Sequence, residues 1–81
     1  ITAPAAPLTE MLNVLFDLTP AEGRLARAIF EGQTIGEAAR AWGLSEQTLR
    51  GRLKTVFAKT GTSRQSDLIR LLNGINPTLH V

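Results

Sequence analysis

The sequence predicts an all-α fold, and three observations lead to this prediction. Apolar residues recur at helical spacing along most of the 81 residues, and no stretch of any length alternates as a β-strand does. Patterns that begin helices, with a Thr and a Glu three residues later, occur at Thr19 and at Thr34. Glycines that can end a helix in a left-handed conformation follow at Gly32, Gly43 and Gly61. We therefore expect a four-helix bundle, with an extra short helix at the N-terminus.

The first predicted helix follows a lead-in, residues 1–7, that contains two prolines and three alanines. Its apolar residues fall on one helical face, and Thr9 is a candidate cap. These residues are Leu8, Met11, Leu12 and Leu15. We divide the chain into a linker with this amphipathic helix (1–17), a main domain (18–73) and a flexible tail (74–81). Asn73, the last residue of the domain, and Gly74 and Pro77 in the tail disfavour a helix.

The main domain contains four predicted helices. Thr19 caps the first, with Pro20 at its first position and Glu22 at the capping-box position, and it ends near Glu31. Thr34 opens the second, which runs to Trp42. Ser45 caps the third, which ends at Gly61, and Ser63 caps the fourth. The residues expected to be buried are Leu25, Ala28, Ile29, Ile35, Ala38, Ala39, Trp42, Leu49, Leu53, Val56, Phe57, Leu68, Leu71 and Leu72.

The second and third helices of this domain have the spacing of a helix-turn-helix unit. A small residue at Ala39 permits close crossing, Gly43 permits the turn, and Leu49 fills the angle between the helices. This geometry would project the third helix towards a DNA major groove. Between Ser45 and Arg64 there are five basic residues and one acid, Glu46, which is typical either of a polyanion-binding face or of an ordinary solvated surface. The basic residues are Arg50, Arg52, Lys54, Lys59 and Arg64.

Composition excludes several other classes of protein. The chain has no Cys, and His80 is its single His, so we expect no disulfide, no metal site and no cofactor. Glu22 and Glu37 are explained as capping residues without a nucleophile or base beside them, so we expect no enzyme. Trp42 is expected to pack in the core rather than to stack on single-stranded nucleic acid. Apolar runs are too short for a membrane span, and the lack of Cys fits a reducing cytoplasm.

The combined pattern resembles the LuxR-type DNA-binding domain that ends many bacterial quorum-sensing and two-component regulators. The resemblance covers about Leu18 to Leu72. The segments that carry it are Leu18-Thr-Pro-Ala-Glu22, Glu31-Gly32, Glu37-Ala-Ala39, Gly43-Leu-Ser45-x-x-Thr48-Leu49-Arg50 and Phe57-Ala-Lys59-Thr-Gly61, followed by Arg64 and Leu68. It implies sequence-specific binding of double-stranded DNA by a transcription regulator in the cytoplasm, as a homodimer formed on DNA through the last helix.

The resemblance also implies individual DNA contacts. Base edges would be contacted by Arg50, Gly51 and Lys54, which the helical spacing also places on one stripe opposite Leu49 and Leu53. Two departures weaken the match: Gly36 lacks the basic group that the family often has there, and Gly51 offers no side chain. The candidate phosphate contacts are Thr34, Ser45, Gln47, Thr48, Arg52, Lys59 and Arg64.

Two alternatives to DNA binding remain open. The helix-turn-helix could serve protein–protein contact, or the basic surface could bind an acidic partner. Ile69 could form an exposed apolar patch with Leu8, Met11 and Leu12. Because the chain opens on Ile rather than Met, we expect a processed protein or a fragment of a longer one, with an upstream regulatory domain outside it.

Overall fold

A computed structural model of the chain describes residues 8–75, which form five helices and contain no strand. The helices are α1 (Leu8–Phe16), α2 (Pro20–Phe30), α3 (Ile35–Trp42), α4 (Glu46–Thr60) and α5 (Gln65–Ile75). Helix α2 lies at the centre and contacts each of the other four, while α4 also packs against α3. The predicted all-α class and the five-helix count are confirmed for the described residues.

Local hydrogen bonds explain where α2 and α3 begin. Thr19 Oγ1 accepts from the Glu22 amide at 3.2 Å, and the Glu22 carboxylate accepts from the Thr19 amide at 2.8 Å. Thr34 and Glu37 form the same reciprocal pair at 3.0 and 2.8 Å. Each capping box satisfies two amides that the first helical turn would otherwise leave unpaired. Both predicted caps are confirmed.

Left-handed residues end α3 and α4 as the sequence predicts. Gly43 has φ 67° and Gly61 has φ 71°. Gly32, after α2, has φ 92°. Helix α1 ends differently, because Asp17 takes the left-handed conformation at φ 56° and the Leu18 amide donates to Asn13 O at 3.1 Å. A left-handed L-residue is unfavourable, although Asp tolerates it better than most.

The core includes α1. Leu12 has no exposed surface, so the first helix is part of the same apolar cluster as the rest of the bundle. Burying a Leu side chain fully stabilises a fold by about 1.5–3 kcal/mol, which makes α1 a structural element. The large side chains with almost no exposure are Leu12, Leu25, Ile29, Leu49, Val56, Leu68 and Leu72.

The ends of the outer helices differ from the predictions. Helix α1 spans Leu8–Phe16, so the predicted cap Thr9 lies within the helix rather than before it. Helix α5 begins at Gln65, where the Leu68 amide donates to Arg64 O, and no cap bond from Ser63 occurs in the described residues. It also continues through Asn73 and Gly74 to Ile75, because the packing of Leu68 and Leu72 holds this face of the helix on α2. Pro77 lies outside the described residues.

The predicted apolar patch is wrong. Leu12 is buried, and Ile69 is half-buried against the core beside Ile29 and Ile35. The exposed apolar residues of α1 are instead Val14 and Leu15, which are 83% and 57% exposed. Leu71, expected in the core, is only half-buried. No helix in the described part of the chain is long and apolar enough to span a membrane.

Candidate nucleic-acid interface

The candidate interface is built on the turn between α3 and α4. The amides of Gly43 and Leu44 both donate to Ala39 O, which closes α3 and turns the chain sharply. Ser45 then caps α4: its hydroxyl accepts from the Thr48 amide at 3.1 Å and donates to Thr48 Oγ1 at 2.8 Å. Ala39 and Leu49 are both buried in the core cluster, and α3 packs against α4. The structure therefore confirms the predicted arrangement of a helix, a glycine turn and a second helix capped by Ser45.

One side of α4 is buried and the opposite side is free. Leu49, Leu53 and Val56 face the core, as predicted. At about 100° per residue, the side directly opposite carries five exposed residues, and none of them is acidic. We call this surface the outer face of α4: Gln47, Gly51, Lys54, Thr55 and Ala58.

Arg50 does not lie on the outer face. It lies about a quarter turn from the buried stripe, on the flank of α4 that faces the start of α3. Its Nη2 donates to Glu46 Oε1 at 2.9 Å, and its side chain is 67% exposed. Arg50, Glu46, Thr34 and Gly36 line one cleft between these helices. At about 100° per residue, Arg50 lies about 40° from Lys54 and about 100° from Gly51, so the three expected base contacts extend from this flank onto the outer face.

Lys59, a predicted phosphate contact, is paired within the molecule. Its Nζ donates to Glu22 Oε1 at 2.8 Å and to Asp17 O at 3.0 Å. The hydrogen bond from Lys59, followed by that from the Thr19 amide, lowers the pKa of Glu22 below its ordinary value of 4.5, and burial opposes this effect. Lys59 thus ties α4 to the start of α2 and is separate from the outer face.

The remaining predicted phosphate contacts lie around the helix starts. Thr34 and Ser45 are exposed caps, each using its hydroxyl for a backbone amide. Thr48 and Arg64 are exposed at the starts of α4 and α5, and Arg52 is half-buried. Three of the five basic residues between Ser45 and Arg64 form no salt bridge within the described residues. They are Arg52, Lys54 and Arg64.

Sequence reasoning missed two members of the outer face and one contact. Thr55 and Ala58 project on either side of Gly51, and Thr55 Oγ1 donates to Gly51 O at 3.4 Å. A helical projection of α4 from Leu49 would have found both, because it depends only on sequence spacing. The missed contact is the Glu46–Arg50 ion pair. Its i,i+4 spacing favours such pairs on a helix, so the sequence alone could have predicted it.

Trp42 packs against the core but remains half-buried. The Arg24 guanidinium lies 4.2 Å from the ring centroid, a cation–π contact that covers one face of the indole. This arrangement agrees with the predicted packing role and leaves less of the ring for stacking on a base.

Residues 8–75 contain no group of three or more His, Asp or Glu that could hold a metal ion, and His80 lies outside them. No protein-family model, curated protein or solved structure matches the chain. Its function must therefore be argued from the geometry of the interface and from the resemblance in sequence.

Proposed function

We propose that this chain binds double-stranded DNA, with the outer face of α4 in the major groove, as the output domain of a bacterial transcription regulator acting in the cytoplasm. One observation carries the proposal. A capped helix of 15 residues has a fully buried inner side and an exposed outer face that bears a Lys and polar groups but no acid. The LuxR-type sequence resemblance supports the same function.

The dimensions and chemistry of α4 suit a major groove. A helix of this length extends for about 22 Å, and a major groove about 12 Å wide admits an α-helix. Gln47 can donate and accept at the edge of an adenine, and Lys54 can donate to guanine. Gly51 and Ala58, between and beyond them, let the backbone approach the bases closely. Arg50 would reach bases from the flank of the helix.

Phosphate contacts would surround this face. Of the basic residues between Ser45 and Arg64, three form no salt bridge in the described part of the chain, Arg52, Lys54 and Arg64, so they are the best candidates on and beside α4 for phosphate attraction. Thr34, Ser45 and Thr48 would add hydroxyl or amide donors at the helix starts. Lys59 is left out, because its charge already serves Glu22.

Two copies of the chain would be needed for a specific site. A single outer face offers only two long polar side chains, Gln47 and Lys54. We propose a homodimer formed on DNA through α5, whose Arg70 and Asn73 are exposed and whose Leu71 is half-buried. Such a pair would contact two half-sites about one DNA turn apart.

The proposal is tested by selecting bound sequences from a random duplex library and sequencing them. We expect an enriched motif with twofold symmetry, and its loss when Gln47 and Lys54 are both replaced by Ala. A Glu31→Gln variant, altered at the exposed C-cap of α2 and outside the proposed contacts, serves as control and should select the same motif. No binding of any duplex at low salt would contradict the proposal.

Protein contact remains the second candidate, and the exposed Val14 and Leu15 on α1 favour it. If this surface mediates the function, replacing both residues by polar ones should abolish partner binding. Duplex binding through α4 should be unaffected by the same change, so the two functions can be measured separately.

A further inference from the structure

Gly36 leaves space that the carboxylate of Glu46 occupies. A Cβ built at Gly36 would lie 3.3 Å from Glu46 Oε2, a tighter approach than side chains normally make. The other carboxylate oxygen, Oε1, accepts the hydrogen bond from Arg50. One oxygen of Glu46 is therefore seated over the first turn of α3, and the other holds the Arg50 guanidinium.

The pair leaves Arg50 able to bind a base. A guanidinium has five N–H donors, and Glu46 takes only one of them, through Nη2. The other donors suffice for a bidentate grip on guanine O6 and N7. Arg50 can therefore remain on Glu46 while it contacts a base from the flank of α4.

From these contacts we propose that Glu46 is a positioning residue for Arg50, and that Gly36, which has no side chain, leaves the room that the Glu46 carboxylate takes. The inference rests on the proposed function. Glu46 would fix the direction from which Arg50 approaches the groove, and so determine which base pair it contacts. An acidic residue near phosphates weakens attraction to DNA in general, so its benefit would be selectivity rather than affinity.

The expected contribution of Glu46 to base discrimination depends on how exposed the Glu46–Arg50 ion pair is. Both side chains are more than half exposed, at 67% and 51%. Exposed i,i+4 ion pairs shift an equilibrium by about 1.5- to 2.5-fold. Glu46 should therefore contribute about twofold to the discrimination that Arg50 provides, whereas removing Arg50 itself should cost about tenfold.

The test measures base preference by competitive binding and sequencing of randomised duplexes. Arg50→Ala first identifies the base pair that Arg50 contacts. At that pair, Glu46→Gln should lower discrimination about twofold and raise affinity for all sequences. Glu46→Asp keeps the charge but withdraws the carboxylate from Gly36, so it should lower discrimination without raising affinity.

A matched control is Glu31→Gln, which breaks the other exposed i,i+4 pair of the described residues, Arg27–Glu31 at 3.1 Å, at the C-terminal end of α2. It should leave base preference unchanged. If Glu46→Asp keeps full discrimination, or if Glu46→Gln leaves it unchanged while the protein still binds, the positioning role is overturned alone. If the unmodified chain binds no duplex, the proposed function and this inference are overturned together.

Discussion

At the scale of single residues, we expect Lys59 to contribute to the stability of the fold and Lys54 to contribute to DNA binding. Lys59 is one-third exposed, and its ammonium group bonds to Glu22 and to Asp17 O. Lys59→Met should lower the free energy of unfolding by about 1.5 kcal/mol, because hydrogen bonds to charged groups contribute that much when partly buried. Lys54→Met, on the outer face, should change it by less than about 0.5 kcal/mol. Urea denaturation of both variants measures the difference, and equal losses would contradict it.

Glu22 makes stability depend on pH. Lys59 and the Thr19 amide lower its pKa in the folded state below 4.5. Its stabilising contribution is therefore complete above that value and is lost as pH falls through the folded-state pKa. Denaturation between pH 7 and pH 3 should show a steeper loss of stability in the unmodified chain than in Glu22→Gln. A similar profile for both would show that Glu22 is not the titrating group.

Gly51 lowers the stability of α4 relative to an alanine, and no packing contact in the described residues requires a glycine there. Apart from its chain neighbours and the nearby backbone of its own helix, no described atom lies within 4 Å of a Cβ built there, and the residue is in the interior of α4. Gly51→Ala should therefore raise the free energy of unfolding by about 1 kcal/mol. Gly43→Ala should lower it by roughly 1 kcal/mol, because Gly43 has φ 67°. If close approach to DNA is the reason for Gly51, the more stable Gly51→Ala protein should bind duplex more weakly; unchanged binding would exclude that reason.

At the scale of whole helices, α1 should behave as part of the core. Leu12→Ala should destabilise the chain by about 2–4 kcal/mol, since Leu12 is fully buried among the other helices. Leu15→Ala, on the same helix but 57% exposed, should change stability by less than about 0.5 kcal/mol. Thermal unfolding of the two variants compares them directly. A small effect of Leu12→Ala would mean that α1 docks only weakly.

The elements differ in how far the sequence alone determines them. The starts of α2 and α3 were predicted correctly because a capping box depends only on residues three apart, such as Thr19 and Glu22. Ser63 has a side chain suited to capping too, but α5 begins at Gln65. Its position depends on the packing of Leu68 and Leu72 on α2, which is a tertiary contact. Gly74 remains helical for the same reason. Local chemistry therefore determined the bounds of α2, α3 and α4 better than those of α1 and α5.

At the candidate interface too, the sequence predicted local features but not contacts between distant segments. The buried stripe of α4 followed from spacing, and so did exposed Lys54. The partner of Lys59 did not, because Glu22 is 37 residues away and is brought to it only by the packing of α4 on α2. Nor could spacing show that Gly36 makes room for Glu46, since that contact joins two different helices. Contacts between distant segments were the part that needed the structure.

At the scale of the whole molecule, the distribution of charge matters more than its net value of +2. Lys59 is neutralised by Glu22, whereas Arg52, Lys54 and Arg64 carry no salt bridge within the described residues. Each phosphate neutralised contributes about −0.9 to the slope of log affinity against log salt. Three such contacts predict a slope of roughly −3 for each copy bound to duplex DNA.

Lys54 and Lys59 test which charges contribute to this slope, because Lys54 lies on the outer face of α4 and Lys59 is paired with Glu22. Fluorescence anisotropy at several salt concentrations should show that Lys54→Met reduces the steepness of the slope by about 0.9. Lys59→Met should leave the slope unchanged at temperatures where the variant is folded, because its charge is already paired inside the bundle. If both variants lost the same increment, Lys59 would have to leave Glu22 to reach a phosphate. The binding surface would then extend from the outer face of α4 to the start of α2.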